Sequence, residues 1–182
     1  MRALILALLA ALASGQALAA TRKAKSDPAP ASPAQPAATA KLGDFALGPL
    51  VAGTGSLADA KGKAAVIEAW GVNCPPCIAS LPHLQQLSVK HKDKVLFFGA
   101  ECQMSDKKAI EAAIKKAGVT YPIFSGMSNY GGGIPHAFVF DATGKLIFDG
   151  HPLSPEFTAA VEKAAATVKG GSAPTTPSKT KA

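Results

Sequence analysis

The 182-residue sequence has few cysteines, few aromatic residues and almost no charge imbalance in its middle part. Three residues are cysteine, and a second Cys-x-x-Cys motif, which would complete a common type of zinc site, is absent. Residues 42–169 hold 12 lysines and 11 acidic residues, without a basic stripe interleaved with aromatic residues. The net charge of +7 therefore lies mainly in the chain ends. No nucleic-acid partner is predicted.

The two ends of the chain lack the side chains that build a core. Residues 20–41 have no aromatic and no branched aliphatic residue and alternate proline with alanine, which predicts a disordered linker. Residues 170–182, rich in Gly, Ser, Thr, Pro and Lys, predict a disordered basic tail. One domain is therefore expected between them, at residues 42–169.

Residues 1–19 have the pattern of a secretory signal peptide. Arg2 precedes an apolar run that ends in Ala-Leu-Ala, which suits cleavage before Ala20. The alternative is an uncleaved membrane anchor. The run is shorter than the about 20 residues of a membrane span, and no cysteine for lipid attachment follows it. We therefore expect a periplasmic or secreted protein.

The middle part alternates between strand and helix patterns. Apolar runs at residues 63–70 and 94–102 predict buried strands, and residues 136–150 predict two strands joined by a turn through Asp141 and Gly144. Helices are predicted after Cys74, after Ser105 or Asp106, and after Ser154, and Gly118 is expected to end the second of them. An earlier strand is expected around Phe45. This order predicts an α/β fold, with a mixed central sheet flanked by helices on both faces.

Cys74 and Cys77, in the stretch WGVNCPPC, form the candidate reactive site. A Cys-x-x-Cys pair that opens a helix places the first thiol at the positive end of the helix dipole, which favours the thiolate. Cys74 is then the nucleophile, and Cys77, one turn later, is the thiol that resolves a mixed disulfide. Two alternatives stay open: a copper site with His136 or His83 as third ligand, and an inert structural disulfide.

The segment around the cysteine pair, together with two prolines, resembles the thioredoxin superfamily, and within it the exported TlpA-like disulfide oxidoreductases. The resemblance covers about residues 42–169. It depends on Trp70 four residues before Cys74, on Pro82 five residues after Cys77, and on Pro135 in GGGIPHAFVFDATGKLIFDG. It implies a thioredoxin-like fold, a cis peptide bond between Ile134 and Pro135, and a redox-active disulfide as the only reactive group, without a bound cofactor.

The resemblance also implies roles for residues near the pair. Glu68 takes the position of a buried acid that accepts the proton of the resolving thiol, so catalytic roles are expected for Glu68 and Pro135. Trp70, Ile134 and two residues that depart from the family pattern are expected to contact substrate. The departures are Asn73, where a tryptophan is common, and His136, where a small hydroxyl residue is frequent.

Cys102 is the odd thiol, and most cysteines that end a buried strand are small core residues. The expected activity is reduction of protein disulfides in exported proteins, with a membrane thiol–disulfide carrier as electron donor. Cytochrome maturation is one such task in the family. The protein is expected to be a monomer.

Overall fold

Six β-strands form one mixed sheet in the order β1-β4-β3-β2-β5-β6 in a computed structural model that describes residues 39–128 and 130–169. Strands β2, β3 and β4 are parallel, while β1, β5 and β6 pair antiparallel with their neighbours. This confirms the thioredoxin-like α/β class with a mixed sheet. The strands are β1 Leu50–Ala52, β2 Ala64–Trp70, β3 Val95–Glu101, β4 Ile123–Ser125, β5 His136–Phe140 and β6 Leu146–Gly150.

The middle strand, β2, is buried along its whole length because it has a hydrogen-bonded neighbour on each side and packed side chains on both faces. Its side chains alternate between the two faces. Val66 and Trp70 belong to one core cluster, and Ala65 and Ile67 belong to the other. A strand buried on both faces reads as a continuous apolar run, which is why the sequence predicted it.

In the described part of the chain, three α-helices connect or follow the strands, and their ends follow the predicted signals. The Asp106 side chain accepts a 2.8 Å hydrogen bond from the Ala109 amide and begins α2, which ends at Gly118 with a φ of 71°. The Ser154 side chain accepts a 3.3 Å hydrogen bond from the Phe157 amide at the start of α3. The helices are α1 Pro75–Lys90, α2 Lys107–Ala117 and α3 Pro155–Thr167.

The α-helices of the described residues lie on one face of the sheet, because the buried side chains of all three belong to a single core cluster, whereas the helices on the other face are short 3-10 helices. The crossovers from β2 to β3 and from β3 to β4 run in the same direction across the sheet. Because such crossovers are right-handed, α1 and α2 lie on the same face. The other face is covered by residues 40–60, which include short 3-10 helices at Leu42–Asp44 and Leu57–Ala60.

Two elements differ from the sequence prediction. The first strand lies at Leu50–Ala52, whereas the segment around Phe45 packs its ring into the core without forming a strand. The three-residue strand β4 was not predicted, since it is too short to show an alternating pattern.

The packed part of the chain also begins earlier than predicted. Ala40 is buried and Lys41 forms a β-bridge with Lys145, although both residues were assigned to the linker. The predicted signal peptide, most of the predicted linker and the predicted tail lie outside the described residues. Within the described part, no helix combines the length and the apolar composition needed to cross a membrane.

Candidate active site

Cys74 and Cys77 form a disulfide at the start of α1. Cys74 is the N-cap residue, and its Sγ atom accepts a 3.2 Å hydrogen bond from the Cys77 amide. Pro75 and Pro76 lack an N–H group, so the Cys77 amide is the first donor of the helix. Cys74 is 8% exposed and Cys77 is completely buried. Of the two sulfur-bearing residues, Cys74 is therefore the one that a partner molecule can reach.

Pro135 lies at the start of β5, and the peptide bond between Ile134 and Pro135 is cis. The carbonyl oxygen of Ile134 lies 3.8 Å from the Cys74 Sγ atom. Pro135 is buried and Ile134 is partly buried against the helix-side core. The structure thus brings together three predicted site residues that are separated by up to 61 positions in the sequence.

Glu68 lies in the middle of β2, pairs in register with Ala137 of β5, and is completely buried. One carboxylate oxygen lies 2.7 Å from the Ser80 hydroxyl of α1, and the other lies 3.4 Å from the Tyr121 hydroxyl. Burial raises the pKa of Glu68 to about 8, and the hydrogen bonds from Ser80 and Tyr121 oppose this rise. A carboxyl group with this pKa exchanges its proton near neutral pH.

The loop between β2 and α1 is held by residues that the sequence did not identify. The buried Glu101 carboxylate accepts hydrogen bonds from the Val72 amide at 3.3 Å and from the Ser105 amide at 3.0 Å. The Gln103 side chain accepts a 2.7 Å hydrogen bond from the Asn73 amide. Two backbone N–H groups just before Cys74 are therefore fixed by the loop after β3. In the sequence, the one indication of this contact was Glu101, a single acidic residue in an otherwise apolar strand.

The structure contradicts the predicted substrate contact of Trp70. Its side chain ends β2 inside the core and is completely buried. The indole N–H has no hydrogen-bond partner among the described residues. Asn73 is exposed and its backbone amide binds Gln103. Asn73 and Ile134 therefore remain the residues near Cys74 for which a substrate contact stays a prediction.

His136 follows Pro135 but lies on the opposite face of the sheet from Glu68. Its side chain packs with Phe138, at a ring-centroid distance of 4.9 Å, and its Nε2 atom pairs with the Asp149 carboxylate. Successive residues of a strand point to opposite faces, so the position next to Pro135 does not bring this side chain to Glu68. A substrate contact of His136 was predicted, and the packing on the other face does not favour it.

Cys102 directly follows β3 and is partly buried. Burial, with the neighbouring Glu101 charge, raises the pKa of the Cys102 thiol to about 11. This thiol therefore stays protonated at neutral pH, which makes it a poor nucleophile.

The two histidines considered as copper ligands have other partners. His136 pairs with Asp149, and the His83 Nε2 atom lies 3.2 Å from the Thr158 hydroxyl. Across residues 39–128 and 130–169, no three or more His, Cys, Asp and Glu side chains are grouped to hold a metal ion. The copper alternative thus has no assembled ligand set in this part of the chain.

Comparison with known proteins identifies relatives of similar sequence. The chain is 30% identical over 101 residues to the thiol-disulfide oxidoreductase ResA of Bacillus thuringiensis (strain Al Hakam), covering 50% of this chain and 56% of the relative. It is 30% identical over 82 residues to the thioredoxin-like protein YneN of Bacillus subtilis (strain 168), covering 44% and 48%. The matched part thus spans about half the length of these curated relatives.

Solved structures show the same fold. The thioredoxin domain of a thiol-disulfide oxidoreductase from Bacteroides vulgatus superposes with a TM-score of 0.61 at 20% identity, covering 71% of this chain and 98% of that one. A thioredoxin family protein from Chlorobium tepidum TLS gives a TM-score of 0.58 at 24% identity, covering 72% and 98%. The Redoxin family matches residues 36–166, which include every site residue described above. The chain belongs to the Redoxin family and has the thioredoxin-like fold of these solved structures.

Proposed function

We propose that this protein is a thiol–disulfide oxidoreductase that uses Cys74 and Cys77 as its redox pair. The observation that carries the proposal is the position of the disulfide: it opens α1 with the more accessible residue first, beside the Ile134 carbonyl. The names of the relatives support the same chemistry. The disulfide is the only reactive group that the proposal requires, and no cofactor takes part.

In the reducing direction, the dithiol form gives two electrons to a target disulfide. The Cys74 thiolate attacks one sulfur of the target, which breaks the target disulfide, releases a target thiolate and forms a mixed disulfide. The Cys77 thiol loses its proton, and its sulfur then attacks the Cys74 sulfur. This second step releases the second target thiolate and leaves the Cys74–Cys77 disulfide. The released thiolates take up two protons, so the target gains two electrons and two protons.

Glu68 is proposed as the group that accepts the Cys77 proton in the second step. Its carboxyl group lies under the first turns of α1, bound to Ser80, which follows Cys77 by three residues. Its raised pKa, about 8, suits proton exchange near neutral pH. Pro135 is proposed to keep the backbone beside Cys74 open for a substrate strand, with Ile134 and Asn73 as contacts on either side of the sulfur.

The proposed substrates are disulfides of exported proteins, including the apocytochromes that are reduced in cytochrome maturation. The proposed electron donor is a membrane thiol–disulfide carrier, and the proposed location is the periplasm or the exterior, after cleavage of residues 1–19. The signal-peptide pattern of the sequence supports the location. The protein is proposed to act as a monomer.

The direct test is the redox equilibrium of the Cys74–Cys77 pair in dithiothreitol or glutathione buffers, on metal-free Cys102→Ser protein. We expect a reversible two-electron transition, and a potential near that of thioredoxin, about −270 mV, supports the reducing direction. A potential near about −120 mV would instead make the protein an oxidant. A pair that does not exchange at all, or a protein that is purified with bound copper, contradicts the proposal.

The order of the two cysteines is tested by trapping. Cys77→Ser keeps the nucleophile and lacks the resolving thiol, so it is expected to accumulate a mixed disulfide with a target protein. In the Cys102→Ser background, Cys74→Ser keeps only the buried Cys77 thiol and is expected to accumulate none. The reverse result would exchange the two roles.

A further inference from the structure

The Ser80 hydroxyl lies between two oxygen atoms, each at hydrogen-bond distance. Its Oγ atom is 2.7 Å from a Glu68 carboxylate oxygen and 2.8 Å from the Cys77 carbonyl oxygen. Ser80 is completely buried, so bulk water does not compete for these contacts. A serine hydroxyl has one proton and can donate to only one of the two oxygens at a time.

Both contacts are hydrogen bonds only when Glu68 carries a proton. The protonated carboxyl donates to the Ser80 Oγ atom, and the Ser80 hydroxyl then donates to the Cys77 carbonyl. When Glu68 is ionised, its carboxylate needs a donor, and a bond to a charged acceptor is about twice as strong as a neutral one. The Ser80 hydroxyl therefore turns to Glu68, and the Cys77 carbonyl loses that hydrogen bond.

We infer that Ser80 is a hydrogen-bond switch that transmits the protonation state of Glu68 to the Cys77 peptide. The inference deepens the proposed function, because it concerns the acid assigned to the exchange reaction. When Glu68 takes the proton from Cys77, the proton stays on the carboxyl group and only the Ser80 hydroxyl rotates. The turn that holds Cys77 then gains a hydrogen bond, which it loses when Glu68 releases the proton.

Of the two side chains that form hydrogen bonds with the Glu68 carboxyl group, Ser80 is the one that belongs to α1. Tyr121 contacts the other carboxylate oxygen at the longer distance of 3.4 Å, and its phenol donates without linking to the helix. Burial and the Glu68 charge raise the pKa of Tyr121 well above its usual value, so this phenol stays neutral. The strand neighbours of Glu68, Gly99 and Ala137, have no titratable group.

The test is a carbon-13 NMR titration of the oxidised protein that follows the Glu68 carboxyl carbon and the Cys77 carbonyl carbon. In the wild type we expect both signals to shift with one midpoint, near pH 8 as the pKa of about 8 requires. Ser80→Ala should raise the midpoint pH of the Glu68 carboxyl signal. It should also abolish the pH-dependent shift of the Cys77 carbonyl signal, which is the Cys77 step. Ser80→Thr, which keeps a hydroxyl, should retain both steps. Tyr121→Phe, the matched control, should move the midpoint less and keep the Cys77 step.

The inference is overturned if the Cys77 carbonyl signal of the wild type does not follow the Glu68 titration, or if the step persists in Ser80→Ala. Alanine is a good helix former, so we expect Ser80→Ala to fold. The titration of the wild type is by itself enough to overturn the inference. The measurement uses the disulfide form and requires no exchange reaction. A protein that lacks oxidoreductase activity can therefore still pass this test, and an active one can still fail it.

Discussion

Glu68 is a buried residue whose ionised form is disfavoured by burial, although the proposed proton acceptor must be ionised. Burial raises its pKa from 4.5 to about 8, so between these pH values the folded protein holds a proton that the unfolded chain releases. The stability that this proton contributes is fully present below pH 4.5 and is lost as pH rises to about 8. Each pKa unit corresponds to about 1.4 kcal/mol, so the total loss is several kcal/mol.

We therefore expect oxidised wild-type protein to be less resistant to urea at pH 9 than at pH 5, and Glu68→Gln to lose most of this difference. Glutamine keeps the size and the hydrogen-bonding capacity of the side chain but does not ionise. Glu156→Gln, at an exposed position in the first turn of α3, is the matched control and should keep the wild-type difference. An equal pH dependence in Glu68→Gln and the wild type would show that Glu68 is not the cause.

The sequence pointed to the cysteine pair through its spacing and to Pro135 and Glu68 through the family resemblance, and the catalytic roles of these residues stay predictions. It did not identify Ser80, Tyr121 or Gln103. These residues act through side chains that meet after folding, across 12 positions for Ser80 and Glu68 and 53 for Tyr121 and Glu68. A serine in a helix and a glutamine in a loop have no local signal that distinguishes them from surface residues.

At the scale of elements, the loop before α1 depends on the loop after β3. An added Cβ atom at Gly71 would lie 2.4 Å from the Cδ atom of Gln103, an exposed side chain that would have to move aside. Gln103 itself is fixed by its 2.7 Å hydrogen bond from the Asn73 amide. Any side chain at position 71 therefore displaces Gln103 and breaks its bond to the loop that carries Cys74.

Gly71→Ala is expected to lower the free energy of unfolding by about 0.5–1.5 kcal/mol, the net contribution of one hydrogen bond, because the exposed Gln103 side chain moves away from the Asn73 amide. In a Gln103→Ala background the same substitution should cost clearly less, because the obstructing side chain is gone. Urea unfolding of the four proteins measures this coupling. Gly133→Ala, where an added Cβ atom meets nothing within 4 Å, is the control and should change little. If the two substitutions lowered the free energy of unfolding by strictly additive amounts, the Gln103 side chain would not be what restricts the residue at position 71.

Helix ends were predictable at this scale, while short strands and loop-to-loop contacts were not. The helices begin and end where the sequence indicated, with Asp106 and Ser154 as N-cap residues and Gly118 as a C-cap residue. A cap depends on residues within one turn, so it can be recognised from the local sequence. The three-residue strands β1 and β4 depend on pairing with each other, and β4 also pairs with β3. Such pairing is set by the whole sheet, so short strands were missed or misplaced.

At the scale of the whole molecule, the two faces of the sheet are covered in different ways. All three α-helices cover one face, and residues 40–60 cover the other. On that second face, the Phe45 ring lies 5.0 Å from the Phe138 ring and 5.2 Å from the Phe140 ring. The amides of Leu42 and Leu146 bind the carbonyls of Gly144 and Ala40 at 2.8 Å and 3.1 Å. Sequence periodicity could not reveal this arrangement, because the covering segment consists of loops and of 3-10 helices of three and four residues, which are too short to show a helical pattern.

Among the described residues this face is covered by loops and short 3-10 helices rather than by α-helices, so we expect stability to depend strongly on the few residues after position 38. A protein that begins at residue 39 should unfold at nearly the same urea concentration as the full chain. A protein that begins at residue 47 loses Ala40 and Phe45 from the core. It should lose at least as much free energy of unfolding as Phe45→Ala, about 3–5 kcal/mol for a buried phenylalanine.

Val89→Ala is the matched point control for Phe45→Ala, since Val89 is 59% exposed on α1, and a change within about 0.5 kcal/mol is expected there. Urea unfolding followed by tryptophan fluorescence suits the full chain and the four variants, because the only tryptophan, Trp70, is buried in the core on the helix side. If the proteins that begin at residues 39 and 47 unfolded at the same urea concentration, residues 39–46 would contribute nothing to the fold. The second face of the sheet would then be stable without its aromatic cover, which the burial of Phe138 and Phe140 beneath Phe45 argues against.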